Sequence, residues 1–255
     1  MASGLMVRQT VLRHRARRRA RLVSVLALCF IAFAAVLGFT AYTAETAPAS
    51  PPGRAPAGVI ADKSGLLVGS GAVRVDIYFD YLCPACRRAE GNLGPLLGRL
   101  LQSHTIRIIY HPLGYLDTNS TPAGYSTRAA SAAGCAADAG RFLQYTKVLF
   151  AVQPPEGSAG LSETQLIAMG TRAGIARPSF AACVRGNEYR PWARYVTQVA
   201  ANRYISATPT VLVDGQHVYV SSGNGVSLFA AAVNHAKARL ASGTAVRQRV
   251  TAMGS

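Results

Sequence analysis

Two cysteines three positions apart, Cys83 and Cys86, with Pro84 and Ala85 between them, are the residues of this chain best spaced for covalent chemistry. Sulfurs one helical turn apart can close a disulfide with each other and open it onto another thiol. Just before them, Val73, Val75, Ile77 and Phe79 alternate with Arg74, Asp76, Tyr78 and Asp80, the period of a strand with one apolar face. Pro84 suits the first turn of a helix, where a missing N–H costs nothing. Cys83 is therefore expected at the mouth of a helix, with Cys86 one turn in. Unpaired N–H groups and the helix dipole favour an anion there, and a thiolate so placed has a pKa of roughly 3.5–7.5. The pattern predicts thiol–disulfide exchange.

Rival chemistries for the pair lack their other residues. A zinc site needs four ligands, but there is no second Cys-x-x-Cys, and His104, His111, His217 and His235 lack ligand spacing. Haem attachment requires a histidine after the second cysteine, where Arg87 stands. A purely structural bridge over two residues would stabilise little. Glu90 falls four residues after Cys86 and seven after Cys83, on the same helical face. Two readings of it stay open: a carboxyl relaying a proton for Cys86, or a solvated glutamate paired with Arg87 or Arg88. Far along the chain, Thr208-Pro209 enters the apolar run Val211-Leu212-Val213. Such a proline marks an edge or bulge, or, as a cis peptide, frees the Thr208 backbone to pair with an extended substrate. Beside a Cys-Pro-Ala-Cys turn the second reading is preferred.

The elements around these residues alternate. Short strands are expected at Leu66–Val68, Val73–Phe79 and Thr105–Tyr110, the last ended by Pro112, with a helix from Pro84 to Leu101. From Ser120 to Tyr204 the composition turns Ala-rich and helical. Helices are expected over 123–139, 141–152, 163–173, 178–185 and 191–205, with Ser162 as a cap. Strands return at Thr210–Val213 and Val218–Val220 around the turn pair Asp214-Gly215, followed by a helix from Val226 to Leu240. His111 reads as a loop residue, and Trp192 as core.

The formal charge of +16 is unevenly placed: seven arginines precede residue 22 and no acid precedes Glu45. The other 20 basic and 11 acidic residues leave a dispersed +9, with no basic stripe interleaved with aromatics, which argues against nucleic-acid binding. Residues 22–44 carry no charge, and 23 residues suffice to cross a hydrocarbon core as a helix. The run exceeds the about 7–15 apolar residues of a cleaved signal, so a retained anchor is expected, with the arginines holding the N-terminus in the cytoplasm. The expected organisation is a basic segment 1–21, an anchor 22–44, a Pro/Ala-rich tether 45–58, strand-and-helix parts 59–118 and 206–241 flanking a helical insert 119–205, and a disordered tail 242–255. Cys29 lies in the apolar run. Cys135 and Cys183 fall in the insert and, outside the membrane, are expected to be bridged rather than two buried thiols.

The run from Gly65 to Glu90, with Ala207-Thr208-Pro209-Thr210-Val211-Leu212-Val213-Asp214-Gly215, resembles the thioredoxin superfamily. Its nearest branch looks like the DsbA-like proteins of bacterial envelopes. The likeness covers about residues 60 to 240 and implies an α/β thioredoxin fold with an inserted helical domain, here preceded by one transmembrane helix. It implies Cys83 as exposed nucleophile, Cys86 as buried resolving thiol, and Thr208–Pro209 as a substrate-facing cis-proline turn. Asp80 and Glu90 fall where such proteins often carry acids. It implies no cofactor beyond the Cys83–Cys86 disulfide, client proteins of the envelope or secreted ones, and a quinone-linked membrane protein as electron acceptor. Pro84-Ala85 departs from the histidine-bearing dipeptide of strongly oxidising relatives; an oxidase is expected, with a reductase or isomerase using the same site as the alternative. The other class compatible with the sequence is a non-catalytic envelope binding module on the same scaffold.

Overall fold

The computed structural model of the chain describes residues 29–35 and 50–253. Residues 29–35 are helical and expose Phe30, Ile31 and Phe33, and the rest of the expected anchor lies outside the described residues. Among the described residues no helix is long and apolar enough to cross a membrane.

From residue 50 onward the chain forms a five-stranded mixed sheet with helices packed against it. In chain order come β1 (Leu66–Val68), β2 (Val73–Phe79), α1 (Pro84–Gln102) and β3 (Ile106–Pro112). The insert follows as α2 (Tyr125–Asp138), α3 (Phe142–Ala151), α4 (Glu163–Arg172), α5 (Pro178–Arg185) and α6 (Arg190–Asn202). The chain then returns through β4 (Thr210–Val213), β5 (Gln216–Val218) and α7 (Gly225–Met253). Strand order is β1-β3-β2-β4-β5. β2 and β3 run parallel, joined by α1 as the crossover, while β4 pairs antiparallel with β2, with Ile77 opposite Val211. That register brings the segment before β4 alongside the C-terminal end of β2, where the cysteine loop begins.

The alternation in β2 holds, but of its polar positions only Arg74 reaches solvent. Asp76 and Tyr78 are buried along with Val73, Val75 and Phe79. Both faces of the central strand are covered, so the even positions pair internally. Asp76 accepts from Arg74 and from His111 Nε2 at 3.0 Å, while His111 Nδ1 sits 2.7 Å from the Ser64 carbonyl. His111 is therefore a buried strand residue stacked on Tyr78, not a loop residue. Pro112 does not stop β3 early, because it occupies the strand's last position, opposite Phe79. The Asp214–Gly215 turn has positive φ at both residues (51° and 80°), so the return strand starts at once, at Gln216 rather than Val218.

Two boundary expectations need correction. The tail is helical as far as it is described: the helix expected to end at Leu240 continues to Met253, since no proline interrupts the Ala-, Arg- and Gln-bearing run. The tether is not free up to residue 58. Lys63 donates to the Pro52 carbonyl at 2.8 Å, Arg54 pairs with Glu188 at 3.1 Å, and the Ala57 N–H donates to Asp138 at 2.8 Å. Pro56 reaches Gly134 of α2, where an added Cβ would lie 2.9 Å from its ring. Proline-rich chain loses little entropy on docking, which lets this strap lie on the insert. Beside it, Cys135 of α2 is bonded to Cys183 of α5, with Cα atoms 5.9 Å apart.

Candidate active site

β2 ends at Phe79, and the next four residues are held mainly by Asp80. Its Oδ1 accepts from the Leu82 N–H at 2.8 Å, its backbone carbonyl from the Cys83 N–H at 3.1 Å, and its Oδ2 from the Leu116 N–H at 2.9 Å. The carboxyl is fully buried, and that burial pushes its pKa up to about 6 against the pull of those N–H groups. Cys83 is the N-cap of α1 in extended conformation, with Pro84 in the first turn as expected, and no side chain caps this end. Its carbonyl accepts from the Cys86 and Arg87 N–H groups at 3.1 and 3.2 Å, opening the helix. No acid stands in the first turn of the 19-residue helix.

The two sulfurs are free thiols here, and their environments differ. Hydrogen bonding from the Cys86 thiol, opposed by burial and helped by Thr208 and the Cys86 and Ala85 N–H groups, pulls Cys83 down to about 6 from an ordinary 9.0. Thr208 faces the sulfur with both its groups. Its carbonyl, 3.4 Å from Sγ, accepts from the thiol form, while its side chain favours the thiolate. Cys86 goes the other way: burial, then the hydrogen bond and charge of Cys83, push it well above the ordinary value. One sulfur is thus poised as an anion and the other kept protonated.

Thr208–Pro209 is a cis peptide bond, and Thr210 Oγ1 closes the turn on the Ala207 carbonyl at 2.8 Å. An open groove of about 1060 Å³ runs past Cys83, lined among others by Pro84, Tyr115, Tyr204 and Thr208. The nucleophile expected to be exposed is only 6% exposed, because the Thr208 turn and the groove walls cover all but its groove-facing side. Cys86 lines instead an inner cavity of about 20 Å³ with Glu90, Thr146 and Pro209. Glu90 is half-buried and also lines an outer groove of about 520 Å³ beside Arg87 and Lys147. Burial raises its pKa, with Lys147 opposing. The residue therefore borders both the Cys86 cavity and the outer groove, with its Oε1 turned toward Gly94 of the outer groove. Arg87, one of the two arginines expected to pair with Glu90, donates instead to the Ala151 carbonyl.

The structure brings Cys83, Cys86, Glu90, Thr208 and Pro209 together and leaves the Cys135–Cys183 bridge in the insert. Sequence reasoning missed Gln153, whose Nε2 donates to the Tyr81 and Cys83 carbonyls at 3.0 and 2.9 Å. A lone glutamine before two prolines carries no periodic signal. Among the described residues no His, Cys, Asp and Glu cluster could hold a metal.

A thioredoxin-like sheet carrying two thiols at a helix mouth opposite a cis-proline defines a redox domain. The family model described as Thioredoxin matches residues 65–228, and the chain belongs to that family. Solved structures narrow the type. Oxidised DsbA of Mycobacterium tuberculosis is 27% identical with a TM-score of 0.58, covering 69% of this chain and 98% of its own. The reduced disulfide bond oxidoreductase DsbG of the same organism is also 27% identical, at 0.55, with 76% and 97% covered. Oxidised BdbD of Bacillus subtilis, 16% identical at 0.59 with 71% and 97% covered, shares the fold. No curated protein matches the sequence. The chain is a DsbA-like thiol–disulfide oxidoreductase, a class that works through a redox-active disulfide without a cofactor.

Proposed function

We propose that this oxidoreductase is a membrane-tethered oxidase of extracytoplasmic proteins, working through Cys83 and Cys86. The observation that carries the reading is the asymmetry of the sulfurs: a thiolate-favouring Cys83 on an open groove and a buried, protonated Cys86. Beginning from the Cys83–Cys86 disulfide, a client thiolate attacks the Cys83 sulfur. The bond between the two cysteines breaks, and Cys86 leaves as a thiolate that takes up a proton. Glu90, which borders both the Cys86 cavity and the outer groove, relays that proton. A second client thiolate attacks the client sulfur of the mixed disulfide, and Cys83 departs as a thiolate. The client gains a disulfide, and two electrons stay on the enzyme.

Direction follows from which form is stabilised. A Cys83 pKa of about 6 favours the dithiol at pH 7 by about 1.4 kcal/mol, or about 30 mV for two electrons, less whatever water in the groove screens. A stabilised reduced form makes a stronger oxidant. Turnover then requires an acceptor for the two electrons, which we assign to a quinone-linked membrane protein. The uncharged run 22–44 behind seven arginines supports the tether and an extracytoplasmic catalytic domain.

Equilibrating the full-length protein with glutathione tests direction. A potential near that of strong oxidants, well above about −200 mV, supports the oxidase, and one near about −270 mV makes the same residues a reductase. Retention in carbonate-washed membranes, with a mature N-terminus before residue 22, supports the anchor; a start after residue 44 contradicts it.

A further inference from the structure

The loop that delivers Cys83 is fastened from two directions. Its N–H groups, on Leu82 and Cys83, are held by Asp80 of the same loop. Its carbonyls are held from the insert, by a residue 70 positions away. Gln153, just past α3, turns one carboxamide nitrogen onto Tyr81 and Cys83, so that each of its two N–H bonds meets one backbone oxygen. The Tyr81 hydroxyl adds a second tie to the same helix, 2.8 Å from Thr146 Oγ1. The Cys83 carbonyl is also the first acceptor of α1, receiving Cys86 and Arg87. Fixing that peptide plane fixes where Sγ lies relative to the Ala85 and Cys86 N–H groups.

We propose that Gln153 is a positioning residue for disulfide exchange: from the helical insert, its carboxamide holds the Cys83 carbonyl so that the sulfur faces the stabilising N–H groups at the helix mouth. The proposal rests on Cys83 being the nucleophile. It makes the insert more than a lid over the thioredoxin sheet, because any shift of the segment after α3 moves the reacting sulfur. Loss of the carboxamide strips a partner from two carbonyls of a largely buried loop, and the peptide is freed to turn the sulfur away from the N–H groups.

The test compares full-length Gln153→Leu, similar in size without donors, and Gln153→Glu, similar in shape with a carboxylate facing two carbonyl oxygens. Thiolate absorbance at 240 nm and the equilibrium with glutathione are read on each. Gln153→Leu should weaken Cys83 ionisation about two- to tenfold, the effect of one neutral hydrogen bond, and shift the glutathione equilibrium toward the disulfide by a similar factor. Gln153→Glu should shift both further in the same direction. A residue that only supports the fold would lower the melting temperature and leave midpoint and potential alone. In the wild-type protein, the side-chain amide NMR signals of Gln153 should move between dithiol and disulfide forms. Wild-type midpoints in both variants overturn the proposal; if neither variant folds, amide signals indifferent to redox state overturn it instead. Client exchange that survives Cys83→Ser would sink the nucleophile assignment itself, whatever Gln153 does.

Discussion

Replacing Cys86 with alanine should raise the ionisation midpoint of Cys83, because the Cys86 thiol supplies the largest of the effects that lower it. A hydrogen bond to a charged group contributes about 1.5–3 kcal/mol when desolvated, or about one to two pKa units. Cys83 faces an open groove, so the lower figure applies, and the midpoint should move from about 6 to about 7. It should stop short of the ordinary 9.0, since the Ala85 and Cys86 N–H groups and Thr208 remain. The assay is thiolate absorbance at 240 nm in a Cys29→Ser background, where Cys83 is the one thiol left to titrate. Alkylation gives a second signature. A more basic thiolate is intrinsically more nucleophilic, by about threefold per pKa unit. The variant should therefore react about threefold slower than wild type well below pH 6 and about threefold faster above pH 8. Cys86→Ser retains a donor and should fall between the two. A midpoint that stays near 6 in Cys86→Ala would refute the reasoning and leave the helix mouth and Thr208 as the whole cause.

The reduction potential should change slope near pH 6, from about 59 mV per pH unit below it, where two protons accompany two electrons, to about 30 mV above it, where Cys83 keeps none; a single slope through pH 8 contradicts the thiolate. Asp76→Asn should cost about 2 kcal/mol at pH 7 by urea unfolding, because Arg74 and His111 outweigh burial and hold Asp76 at about 2. That folded pKa is depressed, so the contribution is whole above about pH 4 and fades as pH falls toward 2, and the wild-type advantage should narrow over that window. Removing the bridge with Cys135→Ala and Cys183→Ala, 48 positions apart, should lower stability by up to about 4 kcal/mol while leaving the Cys83 midpoint in place; a loss below about 1 kcal/mol would refute the loop-entropy account.

What could be read in the sequence was what repeats or punctuates. Flanking glycines mark β1 and the apolar pattern marks β2 and β4 to the residue, and Pro178 and Ser162 mark helix starts that the structure keeps. The Cys83–Cys86 spacing and the Thr208–Pro209 turn identify themselves by residue type. The misses share a cause: each depends on what covers a surface, which no local pattern records. Asp76 and Asp80 read as outward positions, yet both are buried, Asp76 against Arg74 of its own strand and His111 of the neighbouring one, Asp80 against the Leu82 and Leu116 N–H groups. His111 reads as a loop residue because Pro112, directly after it, signals an end to the strand that in fact runs through both. The strap at residues 52–58 carries no apolar period, and its docking rests on single contacts to Asp138, Glu188 and Gly134. Gln153 is the sharpest case, one polar residue whose meaning comes from two carbonyls about 70 positions earlier.

The central claim is that Cys83 forms and breaks the bond to client proteins while Cys86 resolves it. Expressing the Cys86→Ala chain in cells and separating envelope proteins on non-reducing gels tests it directly. The account predicts adducts of higher mass that collapse with reductant and vanish in the Cys83→Ser, Cys86→Ala double variant. Adducts that persist without Cys83, or none at all at a pH where its thiolate is titrated to completion, would contradict it.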